Sequence, residues 1–396
     1  MRVGSNGELM IKLRGEEVTE NSRPRILVVS SIPFSPSNRG IDIITQALVG
    51  LDAELTHLAF ASKWYLRHNV DSQAKEYGIN QQYLFYSSFG YVERIMRNWG
   101  SSITKWVIEH SVRNLSFDFT SYNLIIIESG KPVFLLPLLP DNSYVVYRRS
   151  DPMSIAYKNP EVLACEDRIM RRANQILEVR DFERLGLCPD YARKKSTIVT
   201  HGYDLLESDE DISASVISRE DEGCMNAVYV GFIPLDVQLL VRLAEEIPNL
   251  KLHIVGDCLS RMEKMHIAKY KNIILYGNIP SCEYLPIVKS CDIAIMPFKK
   301  TEQLDYLGLN SKFLMSMASG LPIVSRELGF QDEFPDSEDI FFSNDDEAFC
   351  RAVKRKLSSL HGPVEYPIDL DCLSKSRKTI EYQEYFKKVF SKMSAF

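Results

Sequence analysis

CDIAIMPFKKTEQLDYLGLNSKFLMSMASGLPIVS, residues 291–325, decides how this chain is read. Ile293-Ala294-Ile295-Met296-Pro297 is an unbroken apolar run, the pattern of a short buried strand. A polar loop follows. Gly308, Asn310 and Ser311 then precede apolar residues at helical spacing: Phe313, Leu314, Met317 and Ala318. Asn310 or Ser311 caps that helix, which puts Lys312 in its first turn. Gly320 stops the helix, Pro322 stands two residues beyond, and Ile323-Val324 begins another strand.

A loop opening onto a helix N-terminus presents unpaired N–H groups and the positive end of the helix dipole, which suits an anion. Lys312 is disfavoured there unless a phosphate or carboxylate meets it. The alternative is a solvated lysine on an exposed turn, and spacing alone leaves both open.

Three segments upstream repeat one arrangement, a strand ending in glycine: Ala227–Phe232 with Gly231, Leu252–Asp257 with Gly256, and Ile273–Asn278 with Gly277. A glycine there lets a ligand approach the backbone. Three in succession, followed by the Asn310-Ser311-Lys312 turn, describe a nucleotide crevice. Helices are expected over 236–246, 347–360 and 377–393. The last is amphipathic and could cross back to the first half of the chain.

The first half has the same α/β alternation: a strand over 25–31, a helix over 41–50 and a strand over 54–60. No GxGxxG follows the first strand, which argues against an NAD-dependent dehydrogenase. Glu128 ends the strand Leu124–Ile127, and Tyr144–Tyr147 runs into Arg148-Arg149-Ser150-Asp151. Asp151 thus stands just past a strand's C-terminal end, where doubly wound sheets place ligands. It can serve as a general base, or cap a helix, or pair with Arg148 or Arg149. His201-Gly202-Tyr203-Asp204 ends another strand. A lone histidine is usually structural, and Gly202 allows a close backbone approach. Residues 61–113 mix aromatic and basic side chains and hold all three tryptophans, which suits either ordinary helix packing or a surface for anionic lipid head groups.

Length bounds the chain at two or three domains: 396 residues, 45% hydrophobic and 25% charged. A formal net charge of −6 argues against nucleic acid as a partner. No apolar run is long enough to span a bilayer. The eight cysteines form neither CxxC nor a metal-type cluster and read as reduced thiols of a cytoplasmic protein. No metal is assigned to the acidic triplet at 209–211 or to Asp369-Leu370-Asp371. The expected organisation is a flexible leader at 1–23, a domain at 24–206, an acidic linker at 207–223, a second domain at 224–375 and a final helix at 376–396.

With these residues in hand the sequence resembles the GT-B glycosyltransferases, and more narrowly the GumK-type inverting glucuronosyltransferases of bacterial polysaccharide assembly. The resemblance runs over about residues 25–325, on LVVSSIPF, IIIESG, VVYRRSDPMS, THGYD, YVGFIPLD, LHIVGD, IILYGNI, IMPF and NSKFLMSMASGLPIV. It implies an α/β chain of two Rossmann-like doubly wound domains facing a cleft. The first would bind acceptor and the second a nucleotide sugar, with the last helix packing back on the first. It implies that Asp151 is the catalytic base and that Asn310, Ser311 and Lys312 hold the donor diphosphate without metal, Lys312 also meeting a donor carboxylate. Gly231, Phe232, Gly256, Gly277, Asn278 and Phe298 would frame the nucleotide, while Glu128, His201, Gly202 and Asp204 would line the cleft. The implied donor is a UDP-sugar, with glucuronate the expected sugar. The implied acceptor is a lipid-linked saccharide at the inner face of the cell membrane, with no cofactor. Asn278, Phe298 and Met315 depart from the family's acidic residue, tyrosine and glutamine, so the donor sugar stays open. Two other readings also stay open: a sugar-nucleotide epimerase of the same fold, and a non-catalytic nucleotide-sugar-binding scaffold subunit.

Overall fold

The apolar runs of the sequence become the strands of two parallel sheets. The computed structural model describes residues 2–3, 9–13, 16–18, 23–36, 39–60, 70–84, 118–156, 160–205, 224–359 and 362–393. Arg2–Val3 (β1), Leu9–Leu13 (β2) and Glu16–Val18 (β3) form a small antiparallel sheet, where a flexible leader was expected. Two residues separate β2 from its antiparallel partner β3, the length of a tight hairpin. The chain then divides into two compact units. The first comprises Met1–Thr200 and Thr379–Phe396, the second His201–Lys378.

The sheet of the first unit holds Arg25–Ser30 (β4), Glu54–Ala59 (β5), Asn80–Tyr83 (β6), Leu124–Glu128 (β7), Tyr144–Arg149 (β8), Gln175–Glu178 (β9) and Ser196–Ile198 (β10). Its order is β10-β9-β8-β7-β4-β5-β6, parallel throughout. Alternate residues of β4 face opposite layers. Ile26 and Val28 meet Ile44 and Leu48 of helix Gly40–Val49, while Leu27 and Val29 share a cluster with Ile169 and Met170 of helix Pro160–Arg172. Tyr382, Tyr385, Phe386 and Val389 of the last helix, Lys375–Met393, complete the first of these layers.

The second unit is a separate six-stranded parallel sheet of Met225–Val230 (β11), Leu250–Val255 (β12), Ile273–Gly277 (β13), Ile293–Met296 (β14), Ile323–Ser325 (β15) and Ile340–Phe342 (β16), ordered β13-β12-β11-β14-β15-β16. Helices Val237–Glu246, Arg261–Ile267, Ser281–Lys289 and Ser311–Ala318 connect successive strands from β11 to β15, and helix Asp346–Ser358 follows β16. Helices Arg261–Ile267 and Ser281–Lys289 were not anticipated, nor were β6 and helix Val70–Glu76. Each is short, and Pro286 sits inside the second of them, so neither apolar period is well developed.

The division falls after Thr200, earlier than the expected border at 206. Tyr203 explains it: its N–H donates to the Leu373 carbonyl and its own carbonyl accepts from Lys375 N–H, which ties 201–205 into the second unit. The linker at 207–223 lies outside the described residues, as do all three tryptophans of the stretch at 61–113, of which only 70–84 are described. No helix among the described residues is long and apolar enough to cross a membrane.

Candidate functional site

In open parallel sheets ligands gather at the C-terminal strand ends, where the strand order reverses. In the second unit that reversal lies between β11 and β14. The three expected glycines stand side by side here. Gly231 N–H donates to the Val255 carbonyl at 3.0 Å, and Gly256 N–H donates to the Gly277 carbonyl at 2.7 Å. Gly256 has φ +111°, and a Cβ on it would lie 1.9 Å from the Gly231 carbonyl oxygen. Its missing side chain therefore admits another stretch of backbone, not directly a ligand. Gly277 has φ +69° with open space around its Cα, so there conformation demands glycine. Phe232 is 62% exposed beside this row, and Asn278 is exposed at the end of β13.

Phe298 departs from expectation. It is 2% exposed, its ring meets Tyr229 edge-on with centroids 6.0 Å apart, and its backbone bridges to Leu235. Hydrogen bonds from Asp236 N–H to the Pro297 carbonyl and from Lys299 N–H to the Pro234 carbonyl stitch the two loops together. Phe298 is thus core beneath the loops and offers a nucleotide no surface.

Helix Ser311–Ala318 is capped as the sequence indicates. Asn310 Oδ1 accepts from Lys312 N–H at 2.9 Å and from Phe313 N–H at 3.5 Å. The cap thereby engages two N–H groups that the anion reading had left for a ligand, and the loop N–H of Leu309 donates to Glu333 Oε2. Lys312 is not a simple solvated lysine: its Nζ donates to the Tyr284 hydroxyl at 3.3 Å and lies 5.0 Å from that ring's centroid. Met315, on the same helix, is buried. Arg326 lies just past β15, fully buried. It reaches Asp236, the cap of helix Val237–Glu246, at 3.0 Å and Asp346, in the first turn of helix Asp346–Ser358, at 2.6 Å. One guanidinium thus ties two helix N-termini to the strand ends.

In the first unit the reversal lies between β4 and β7. Ser30 Oγ donates to Glu128 Oε2 at 2.7 Å, and Arg148 Nη1 donates to Glu128 Oε1 at 2.9 Å, so one carboxylate links three neighbouring strand ends. Arg149, also buried, pairs with Glu166 at 3.0 Å and Glu178 at 3.1 Å and lies over the Phe182 ring. Both arginines are therefore engaged elsewhere, and Asp151 is not their ion-pair partner. Asp151 is exposed; its N–H donates to Ser129 Oγ, which shares a 2.8 Å hydrogen bond with Ser150 Oγ. Desolvation by the protein around it raises the Asp151 carboxyl above its ordinary pKa, against the opposing pull of Arg148 and Arg180 and with Glu128 adding to the rise.

Glu128 and Asp151 thus belong to the first unit, whereas His201, Gly202 and Asp204 belong to the second. Asp204 forms an ion pair with Lys375 at 3.1 Å, and a Cβ on Gly202 would lie 2.8 Å from Lys378 Cγ. This turn packs on the start of the last helix. His201 is half-buried. Among the described residues no group of three or more His, Cys, Asp or Glu is arranged to hold a metal ion.

Tyr284, Arg326 and the Glu128–Arg148 pair were missed in the sequence. Only the strand-end position of Arg148 hinted at a role, since each partnership depends on sheet register or on a helix that was not read.

Residues 228–359 match the family described as "Glycosyl transferases group 1". No match was found among curated protein sequences. Several solved structures share the fold. HepE of Anabaena, in complex with UDP and glucose, is 12% identical, with 93% of this chain and 100% of that one covered and a TM-score of 0.66. Sucrose-phosphate synthase of Thermosynechococcus elongatus is 14% identical, with the same coverage and a TM-score of 0.67. UDP-GlcNAc 2-epimerase of Methanocaldococcus jannaschii is 10% identical, again with 93% and 100% covered and a TM-score of 0.52. The chain has the GT-B fold, and residues 228–359, within its second unit, are similar to glycosyl transferases group 1.

Proposed function

We propose that this chain is an inverting, metal-independent glycosyltransferase that moves a sugar from a UDP-sugar to a hydroxyl of a lipid-linked saccharide at a membrane surface, with glucuronate as the donor sugar. The observation that carries the reading is the group 1 match over 228–359, the region that contains Gly231, Gly256, Gly277 and Lys312. In this reading the second unit holds the nucleotide sugar, and Lys312 with the N–H groups around Asn310 and Ser311 balances the charge that grows on departing UDP.

Asp151 of the first unit removes the acceptor proton as its oxygen attacks the anomeric carbon. The new carbon–oxygen bond forms as the bond to UDP breaks, which inverts the centre. A carboxyl with a raised pKa is a stronger base once ionised, which suits it to that task. Lys312 remains the candidate for a donor carboxylate, and its contact with Tyr284 leaves further N–H bonds for that purpose.

The first test is binding of UDP, UDP-glucuronate, UDP-glucose and NAD, read as a rise in Tm. A larger rise with UDP-glucuronate than with UDP-glucose supports the acidic donor. A larger rise with UDP-glucose keeps the transferase and removes glucuronate. No response to any uridine nucleotide refutes the reading. A second reading, a sugar-nucleotide epimerase, is favoured by the fold shared with the archaeal epimerase. It requires turnover of UDP-sugar with no acceptor present, which product analysis would detect.

A further inference from the structure

Tyr284 sits on helix Ser281–Lys289, 8% exposed, with its hydroxyl turned to Lys312 Nζ at 3.3 Å and its ring centroid 5.0 Å away. Lysine carries a compact charge on a four-carbon stem with many rotamers, so it normally meets an anion only after losing that freedom. In the first turn of helix Ser311–Ala318 the dipole also repels it. The lone pairs of the Tyr284 hydroxyl offset part of that repulsion and fix the direction of one N–H.

We propose that Tyr284 is a positioning residue of the nucleotide site: it holds the Lys312 ammonium in one geometry before the ligand arrives, with two N–H donors left for diphosphate oxygens. The inference rests on the reading of Lys312 as the diphosphate lysine and adds the residue that prepares it. Tyr284 acts through Lys312, so its effect must vanish when the ammonium is removed.

The test is a double-mutant cycle on UDP binding by titration calorimetry, with Lys312→Met, Tyr284→Phe, Tyr284→Leu and the two double variants. Lys312→Met is expected to weaken UDP on the order of tenfold or more. Tyr284→Phe, which loses the hydroxyl and keeps the ring, should weaken it about threefold, and Tyr284→Leu at least as much. In the Lys312→Met background neither tyrosine substitution should change the affinity by more than about twofold. Equal losses in both backgrounds would mean that Tyr284 acts by its own contact or by packing, and would overturn this inference while leaving the nucleotide site standing. Wild-type UDP affinity in Lys312→Met would overturn both together. Tyr284→Phe preserves the packed ring, so its pair of measurements decides the matter even where Tyr284→Leu fails to fold.

Discussion

Gly256→Ala puts the row of strand-end glycines to its sharpest test. The added Cβ would stand 1.9 Å from the Gly231 carbonyl oxygen, where real contacts stop at about 3.0 Å, and the residue would keep φ +111°. Relief demands that one loop retreat by more than 1 Å, which breaks the hydrogen bond from Gly231 to Val255 or the one from Gly256 to Gly277. A non-glycine residue in so strained a backbone costs about 1–3 kcal/mol. With the steric displacement added, the expected loss of stability is about 2–4 kcal/mol. Denaturant unfolding should show a lower midpoint at unchanged m-value. UDP affinity should fall under conditions where the variant is folded, because the strand-end row that frames the nucleotide in this reading would be displaced by more than 1 Å. Gly277→Ala is the control: φ +69° lies in the left-handed α region and no atom lies within 4 Å, so only a conformational cost of about 1–2 kcal/mol remains. A Gly256→Ala protein with wild-type midpoint and wild-type UDP affinity would refute the argument that this corner is built on backbone-to-backbone approach.

Asp151→Asn should reduce turnover about 10²–10⁴-fold with UDP binding nearly unchanged, and undiminished turnover would remove it as the base. The acidic limb of kcat/KM should lie above the ordinary aspartate value of 3.8, and Arg180→Gln, which removes an opposing cation, should move it further up. Arg149→Met strands Glu166 and Glu178 without their cation and should cost about 3–5 kcal/mol in urea unfolding; a loss below about 1 kcal/mol would mean the cluster adds no net stability. Burial, with Arg39 adding to it, lowers the His57 pKa from 6.5 to about 3, so between those values the unfolded chain binds more protons than the folded one. That contribution to stability is complete above pH 6.5 and is lost as pH falls towards 3. His57→Phe should flatten the corresponding slope of stability against pH, and an unchanged slope would exclude His57 as a source of acid sensitivity.

The two sheets were legible because inner parallel strands are buried on both faces, so Ile26–Val29, Leu124–Ile127 and Ile293–Met296 read as unbroken apolar runs. The cap at Asn310 was legible because few side chains accept from a helix N-terminus. Phe298 was misplaced because an aromatic residue after a strand looks the same in sequence whether it lines a site or lies beneath one. Gly256 shows a similar ambiguity, since a missing side chain can admit a ligand or another loop. Partnerships between distant residues were out of reach. Arg148 meets Glu128 through the register of neighbouring strands, and Arg326 meets Asp236 from across the second sheet.

The last helix returns to the first unit, where Tyr382, Tyr385, Phe386 and Val389 fill one layer against Ile26, Ile44 and Leu48. On the ribosome this makes the order of synthesis differ from the order of completion. The second unit is one continuous stretch and can finish as it emerges. The first waits through its translation, on the order of 10–40 s, with an apolar face uncovered. A chaperone that shields apolar surface would find its target in that interval, and a chain that ends before Thr379 would present the same face permanently.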